Sequence, residues 1–145
     1  MANEVPYAFP VELLSGTHNF ASDTFKLALY TASPYTTAST VYVTGSETTG
    51  TEYSAGGNTL TGNAVSNVAN YATVDFTDSV WGSHTPANFS AAYGAIYNSS
   101  ASNKLVVILD FGGTKYCSNG TFTVPFPSPT SGSHSGADAL LSIQS

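Results

Sequence analysis

Apolar residues alternate with others two apart in Phe25–Leu29 and Phe122–Val124, and the only stretch with helical appeal lies near the start of the chain. Val11, Leu13 and Leu14 give an apolar side, Pro10 suits a first helical turn and Gly16 a stop, so a short helix is expected over 10–15. After it the pattern is β-like. Phe25–Tyr30 places Phe25, Leu27 and Leu29 on one strand face, entered from a turn at Asp23-Thr24. Thr40–Val43 reads as a short strand in a Thr/Ser-rich loop, and Tyr53–Leu60 carries the turn Ala55-Gly56-Gly57-Asn58. Val65–Phe76 is one long strand or two, with Val68, Val74 and Phe76 among its apolar positions; Val80-Trp81 follows.

Ala91–Tyr97 and Lys104–Phe111 are the next strands. The second contains the unbroken apolar run Leu105–Leu109, which must be buried on both faces or covered by a neighbouring subunit. Tyr116–Gly120, which holds the single cysteine Cys117, reads as a turn leading into Thr121–Val124. Pro125, Pro127 and Pro129 stop further pairing, 128–136 is a Ser/Gly/Pro loop, and Ala139–Ile143 closes the pattern. Several strands separated by turns, without strand–helix alternation, predict an all-β fold: a single-domain β-sandwich, jelly-roll-like, over 11–145. Residues 1–10, with Pro6 and Pro10 and no period, are expected to be an arm that orders against a partner.

Composition narrows the functions. The chain has 145 residues, 41% hydrophobic and only 8% charged; Ser and Thr exceed a quarter, and arginine is absent. Three lysines against nine carboxylates give a net charge of −6. Nucleic-acid and anionic-membrane partners, which call for clustered Lys and Arg, are therefore not expected. No apolar run approaches a membrane span, and Met1–Pro10 lacks the basic and apolar regions of a secretory leader.

Candidate chemistry is sparse. His18, His84 and His134 lie far apart, and Asp75 with Asp78 reads as a turn pair that would need further oxygen ligands to hold calcium. No Gly-x-Ser-x-Gly elbow selects a serine nucleophile, and Asp110-Phe111-Gly112 lacks the rest of a kinase signature. Glu47 and Glu52 sit five apart in a Thr-rich stretch that does not fix a carboxylate separation. No catalytic residue, metal or cofactor is assigned. The aromatics say more: Phe25, Phe76, Phe111 and Phe122 fall in strand patterns and read as core. Tyr7, Tyr35, Tyr42, Tyr53, Tyr71 and Tyr116 lie near turns, where half-wet rings suit subunit interfaces or sugar stacking.

A series of segments carries a family resemblance: Phe9–Gly16, Ser22–Tyr30, Glu52–Leu60, Trp81, Ala92–Tyr97, Leu109–Gly112, Asn119–Val124 and Leu140–Ile143. In this order, covering most of the chain, they resemble small structural proteins encoded in the virion-assembly region of tailed bacteriophages. Two features depart from the family: Ala92 stands where a charged residue is common, and the loop 125–136 is long enough to be a contact arm. The resemblance implies a virion component without catalytic residues. The expected role is a capsid decoration (cement) protein, a homotrimer on the capsid exterior bound to the major capsid protein. Its expected interface residues are Tyr7, Phe9, Tyr35, Tyr42, Tyr53, Leu105, Val107 and Leu109. The alternative is a tail or head fibre module that binds host-surface glycans.

Overall fold

Phe25–Tyr30 forms β1, and both of its faces are buried. Phe25, Leu27 and Leu29 enter one hydrophobic cluster, while Ala28 and Tyr30 enter a second on the opposite side. The structure is a computed structural model that describes residues 3–68, 71–127 and 140–144. Around β1 the remaining strands are β2 (Asn58–Thr59), β3 (Ala64–Val68), β4 (Tyr71–Asp75), β5 (Ser79–Trp81), β6 (Ala87–Asn98), β7 (Lys104–Gly120), β8 (Phe122–Val124) and β9 (Leu141–Gln144). The fold is all-β, with antiparallel sheets ordered β2-β1-β6-β7, β3-β4-β9 and β5-β8, and one short helix, α1 (Ala8–Leu14).

The larger cluster is rich in aromatic rings. Phe20 stacks on Phe25 at 4.6 Å, Phe25 meets Phe76 at 5.7 Å, and Phe89 meets Phe122 at 5.1 Å. The smaller cluster is closed by the 31–47 loop, which lays Tyr35 and Tyr42 over Ala95, Tyr97, Leu105 and Ile108. The chain therefore covers both sides of its own central sheet. Of the two covers open for Leu105–Leu109, the chain itself supplies one on each face. A bulge assists: Ile96 pairs with Val107 and Tyr97 with Leu105, so Val106 is an extra residue, and it joins Val107 in the larger cluster.

The helix begins two residues earlier than expected. It ends as its sequence suggests: Gly16 takes φ +78°, Thr17 N–H donates to Glu12 O (2.8 Å), and Gly16 N–H donates to Leu13 O (3.2 Å). The expected arm is also corrected. Glu4 exchanges backbone hydrogen bonds with Ile108 (2.9 and 2.8 Å), Pro6 is buried, and Phe9 packs on His18 and Phe20. An edge position on β7 and a vacancy in the aromatic core hold this segment to the body.

Thr40–Val43 makes only a single bridge, Val41 to Lys104. Val65–Phe76 resolves into the hairpin β3–β4. Tyr116–Gly120 is strand, with Cys117 buried opposite Phe89. Upstream, the β6–β7 pairing jumps from Tyr93–Asp110 to Ala91–Lys115, leaving Phe111–Thr114 as an excursion with Gly112 at φ +69° and Gly113 at φ +122°. Of the loop 125–136, Phe126 is buried and its N–H donates to Asp78 Oδ1 (2.9 Å); residues 128–136 lie outside the described residues.

Candidate functional site

Glu47 is the hub of the tyrosines. Its loop carries positive φ at Ser46, Glu52, Gly56 and Gly57 and folds flat against β1, where Thr48 N–H donates to Leu29 O (2.8 Å). Tyr42 donates to Glu47 Oε2 (2.6 Å); Tyr53 (2.8 Å) and the Gly56 N–H (2.6 Å) both donate to Oε1. Tyr97 donates to Gly56 O (2.8 Å) and stacks on Tyr42 at 4.6 Å. Nearby, the Tyr30 and Tyr35 hydroxyls lie 2.6 Å apart, and Tyr30 donates to Val43 O (2.8 Å). Burial raises the Tyr97 hydroxyl pKa to about 12, with the Glu47 charge adding to the effect. Burial, then the hydrogen bond to Glu47, also raises those of Tyr42 and Tyr53; burial raises Tyr30 and Tyr35. These hydroxyls stay neutral donors, and the arrangement locks loop to sheet.

A second polar cluster anchors the helix. Glu12 Oε1 lies 2.5 Å from Lys104 Nζ, and Glu12 Oε2 lies 3.2 Å from His18 Nε2. The Asn98 amide donates to His18 Nδ1 (3.1 Å) and to Asp23 Oδ2 (2.7 Å), which places the His18 proton on Nε2, toward Glu12. Burial pushes Glu12 up, but Lys104 and His18 outweigh it and hold the carboxyl below its ordinary value. The Asn19 N–H, then Asn98, lower Asp23. Asn98 is wholly buried, and its Oδ1 accepts the N–H groups of Ser100 and Ala101, fixing the β6–β7 turn. His18 joins helix to turn through carboxylate and amide partners rather than a nucleophilic hydroxyl.

Among the described residues, no group of three His, Cys, Asp or Glu is placed to hold a metal ion. Asp78 caps the Phe126 N–H, whereas a buried Asp75 oxygen has no hydrogen-bond partner among the described residues.

The expected interface residues are placed unevenly. Phe9, Tyr35, Leu105, Val107 and Leu109 are buried in the two clusters within the chain itself. Tyr42 and Tyr53 are half-buried around Glu47. Tyr7 stands out at 72% exposure, in line with two residues the sequence reading did not select: Val11 at 68% and Leu14 at 91%. They recur at i, i+4 and i+7 along one side of α1, whose other side carries Phe9 and Leu13 into the core. Beside this ridge lies an apolar groove of about 350 Å³ between α1 and the β3-β4-β9 sheet, lined by Val5, Pro10, Leu13, Val65, Leu141 and Ile143 among others. The register explains the lining: Val65, Val74 and Leu141 form one cross-strand row, and Ala72 pairs with Ile143 in the next. This ridge and groove form the candidate interaction site. No known family model, curated protein or solved structure matches the chain.

Proposed function

We propose that this chain is a structural protein of a bacteriophage virion: a capsid decoration protein that binds the major capsid protein from outside and opposes separation of neighbouring subunits. The body is read as a jelly-roll-like β-sandwich that acts homo-oligomerically, as a trimer on the shell. The ridge and groove beside α1 carry the assembly part of this reading, because a continuous exposed apolar surface on a rigid body serves contact with other protein. The rest of the polar chemistry agrees: Glu47 and Glu12 are committed to internal locks, and a net charge of −6 without arginine keeps the protein from packaged DNA. Burying apolar area across capsid subunits adds roughly 25 cal/mol per Å² against their separation.

The test adds purified protein to capsids that lack it. Saturable binding at fixed copy number, with greater resistance of DNA-filled particles to heat, is expected. Failure to bind, with the protein located at a tail tip, overturns decoration. A second reading, a fibre module that stacks on glycans, rests on Tyr116, which is 81% exposed beside Lys115 on β7. Binding on a glycan array that is lost in Tyr116→Ala would establish that reading instead.

A further inference from the structure

We infer that the ridge on α1 and the groove beside it are a homotypic contact, in which the Tyr7–Val11–Leu14 ridge of one copy enters the groove of a second copy of this chain. The inference deepens the homo-oligomeric part of the reading above and rests on that part alone.

Shape is the first argument. Ridge and groove are contiguous: Pro10 and Leu13 line the groove, and Pro10 lies one helical turn from both Tyr7 and Leu14 on the exposed side of α1. A surface with a convex and a concave apolar element side by side is complementary to itself. A two-fold axis engages both pairs at once, and a rotation that closes a ring engages one pair per contact.

Charge is the second. At −6, copies of this chain repel one another over most of their surface. Among the described residues the groove lining carries no charged side chain, and Glu12, the one charged residue of α1, is turned inward to Lys104 and His18. Two copies can therefore approach on this face without bringing exposed helix carboxylates together.

Area is the third. Val5, Tyr7, Val11, Leu14, Val65 and Ile143 are 39–91% exposed. At on the order of 100 Å² each, they supply on the order of 600 Å² per copy where a two-fold axis engages ridge and groove together, approaching the ~800 Å² per partner of a standard specific interface; a ring contact, using one pair, draws on about half of this. Polar atoms and main chain at the rim add the remainder.

The test is sedimentation equilibrium of the full chain at low and high salt, beside Leu14→Glu on the ridge, Ile143→Glu in the groove and Tyr116→Ala as a remote control. Circular dichroism checks that each variant is folded. Each substitution is at an exposed side chain, so the fold is expected to survive. The expected result is a closed oligomer, dimer or trimer, that persists at high salt. Either glutamate should weaken it at least tenfold, and Tyr116→Ala should leave it unchanged. A wild-type monomer at high concentration, or an oligomer indifferent to both glutamates, overturns the inference. If the wild type is monomeric and Leu14→Glu abolishes capsid binding, the face belongs to the capsid protein: the homotypic contact falls and decoration stands. An oligomer sensitive to both glutamates that never binds capsids leaves the contact standing and removes the decoration reading.

Discussion

The Tyr53 hydroxyl donates to Glu47 at 2.8 Å and accepts the Leu29 N–H at 2.9 Å, so one side chain couples the loop carboxylate to the C-terminal end of β1. Tyr42 and the Gly56 N–H complete the set of donors to that carboxylate. The loop's irregular backbone is thereby bonded to the sheet.

Glu47→Ala is expected to cost about 2–4 kcal/mol, because two tyrosine hydroxyls and a backbone N–H lose one charged acceptor together. Glu47→Gln keeps an acceptor oxygen and should lose less than half as much. Urea unfolding of the three proteins measures this. An alanine variant as stable as wild type would show that the loop is held without the carboxylate.

Gly57 and Gly112 have nearly the same φ, +71° and +69°, but different surroundings. A Cβ at Gly57 would overlap the Leu27 carbonyl oxygen, whereas nothing lies within 4 Å of one at Gly112. Gly112→Ala should cost only the left-handed penalty, about 1–2 kcal/mol. Gly57→Ala must also push the loop off β1, and is expected to cost at least twice as much and to weaken the Tyr53 contacts. Equal losses in thermal unfolding would refute the role of close approach at Gly57.

Stability should fall at both ends of the pH scale, for different groups. Tyr97 and its neighbours have hydroxyl pKa values raised in the folded state, so their contribution is complete below pH 10. It is lost as pH rises from there through about 12, where the unfolded chain ionises first. Glu12 and Asp23 are lowered, so theirs is present above their ordinary values of 4.5 and 3.8 and lost as pH falls through the folded ones. Unfolding followed by tyrosinate absorbance should lag behind free tyrosine in alkali and then appear cooperatively. Glu12→Gln should flatten the acid limb while leaving the alkaline limb in place.

The elements were more legible than the surfaces they present. In β1 the Phe-Lys-Leu-Ala-Leu-Tyr pattern marked the strand end to end, and Gly16 marked the helix stop, because both signals are local. Two-sided burial of Leu105–Leu109 admitted a subunit or the chain itself as the cover. The choice fell to the 31–47 loop, whose Thr/Ser-rich sequence hides that Tyr35 and Tyr42 face inward. Glu47 looked like a loose surface carboxylate because its donors, Tyr42, Tyr53 and Gly56, converge only after Gly56 and Gly57 bend the chain. Tyr7, Val11 and Leu14 keep helical spacing in the sequence, but starting the helix at Pro10 cut Tyr7 from the stripe. The described start at Ala8, with helical dihedrals already at Tyr7, restores it.

Phe9 and Leu14 lie on opposite sides of α1 and should respond oppositely to substitution. Phe9 is 4% exposed and touches the rings of His18 and Phe20, so Phe9→Ala should cost about 3–5 kcal/mol through a cavity at the base of the helix. Leu14, 91% exposed, should tolerate Leu14→Ala within about 0.5 kcal/mol. Deletion of residues 1–10 should destabilise more than Phe9→Ala, since it also removes the Glu4–Ile108 backbone pair and buried Pro6. Urea unfolding at a concentration where the protein is monomeric separates these effects from assembly. A truncated chain as stable as the full one would return the segment to the status of a free arm, and α1 with its ridge could then no longer be treated as a fixed part of the body.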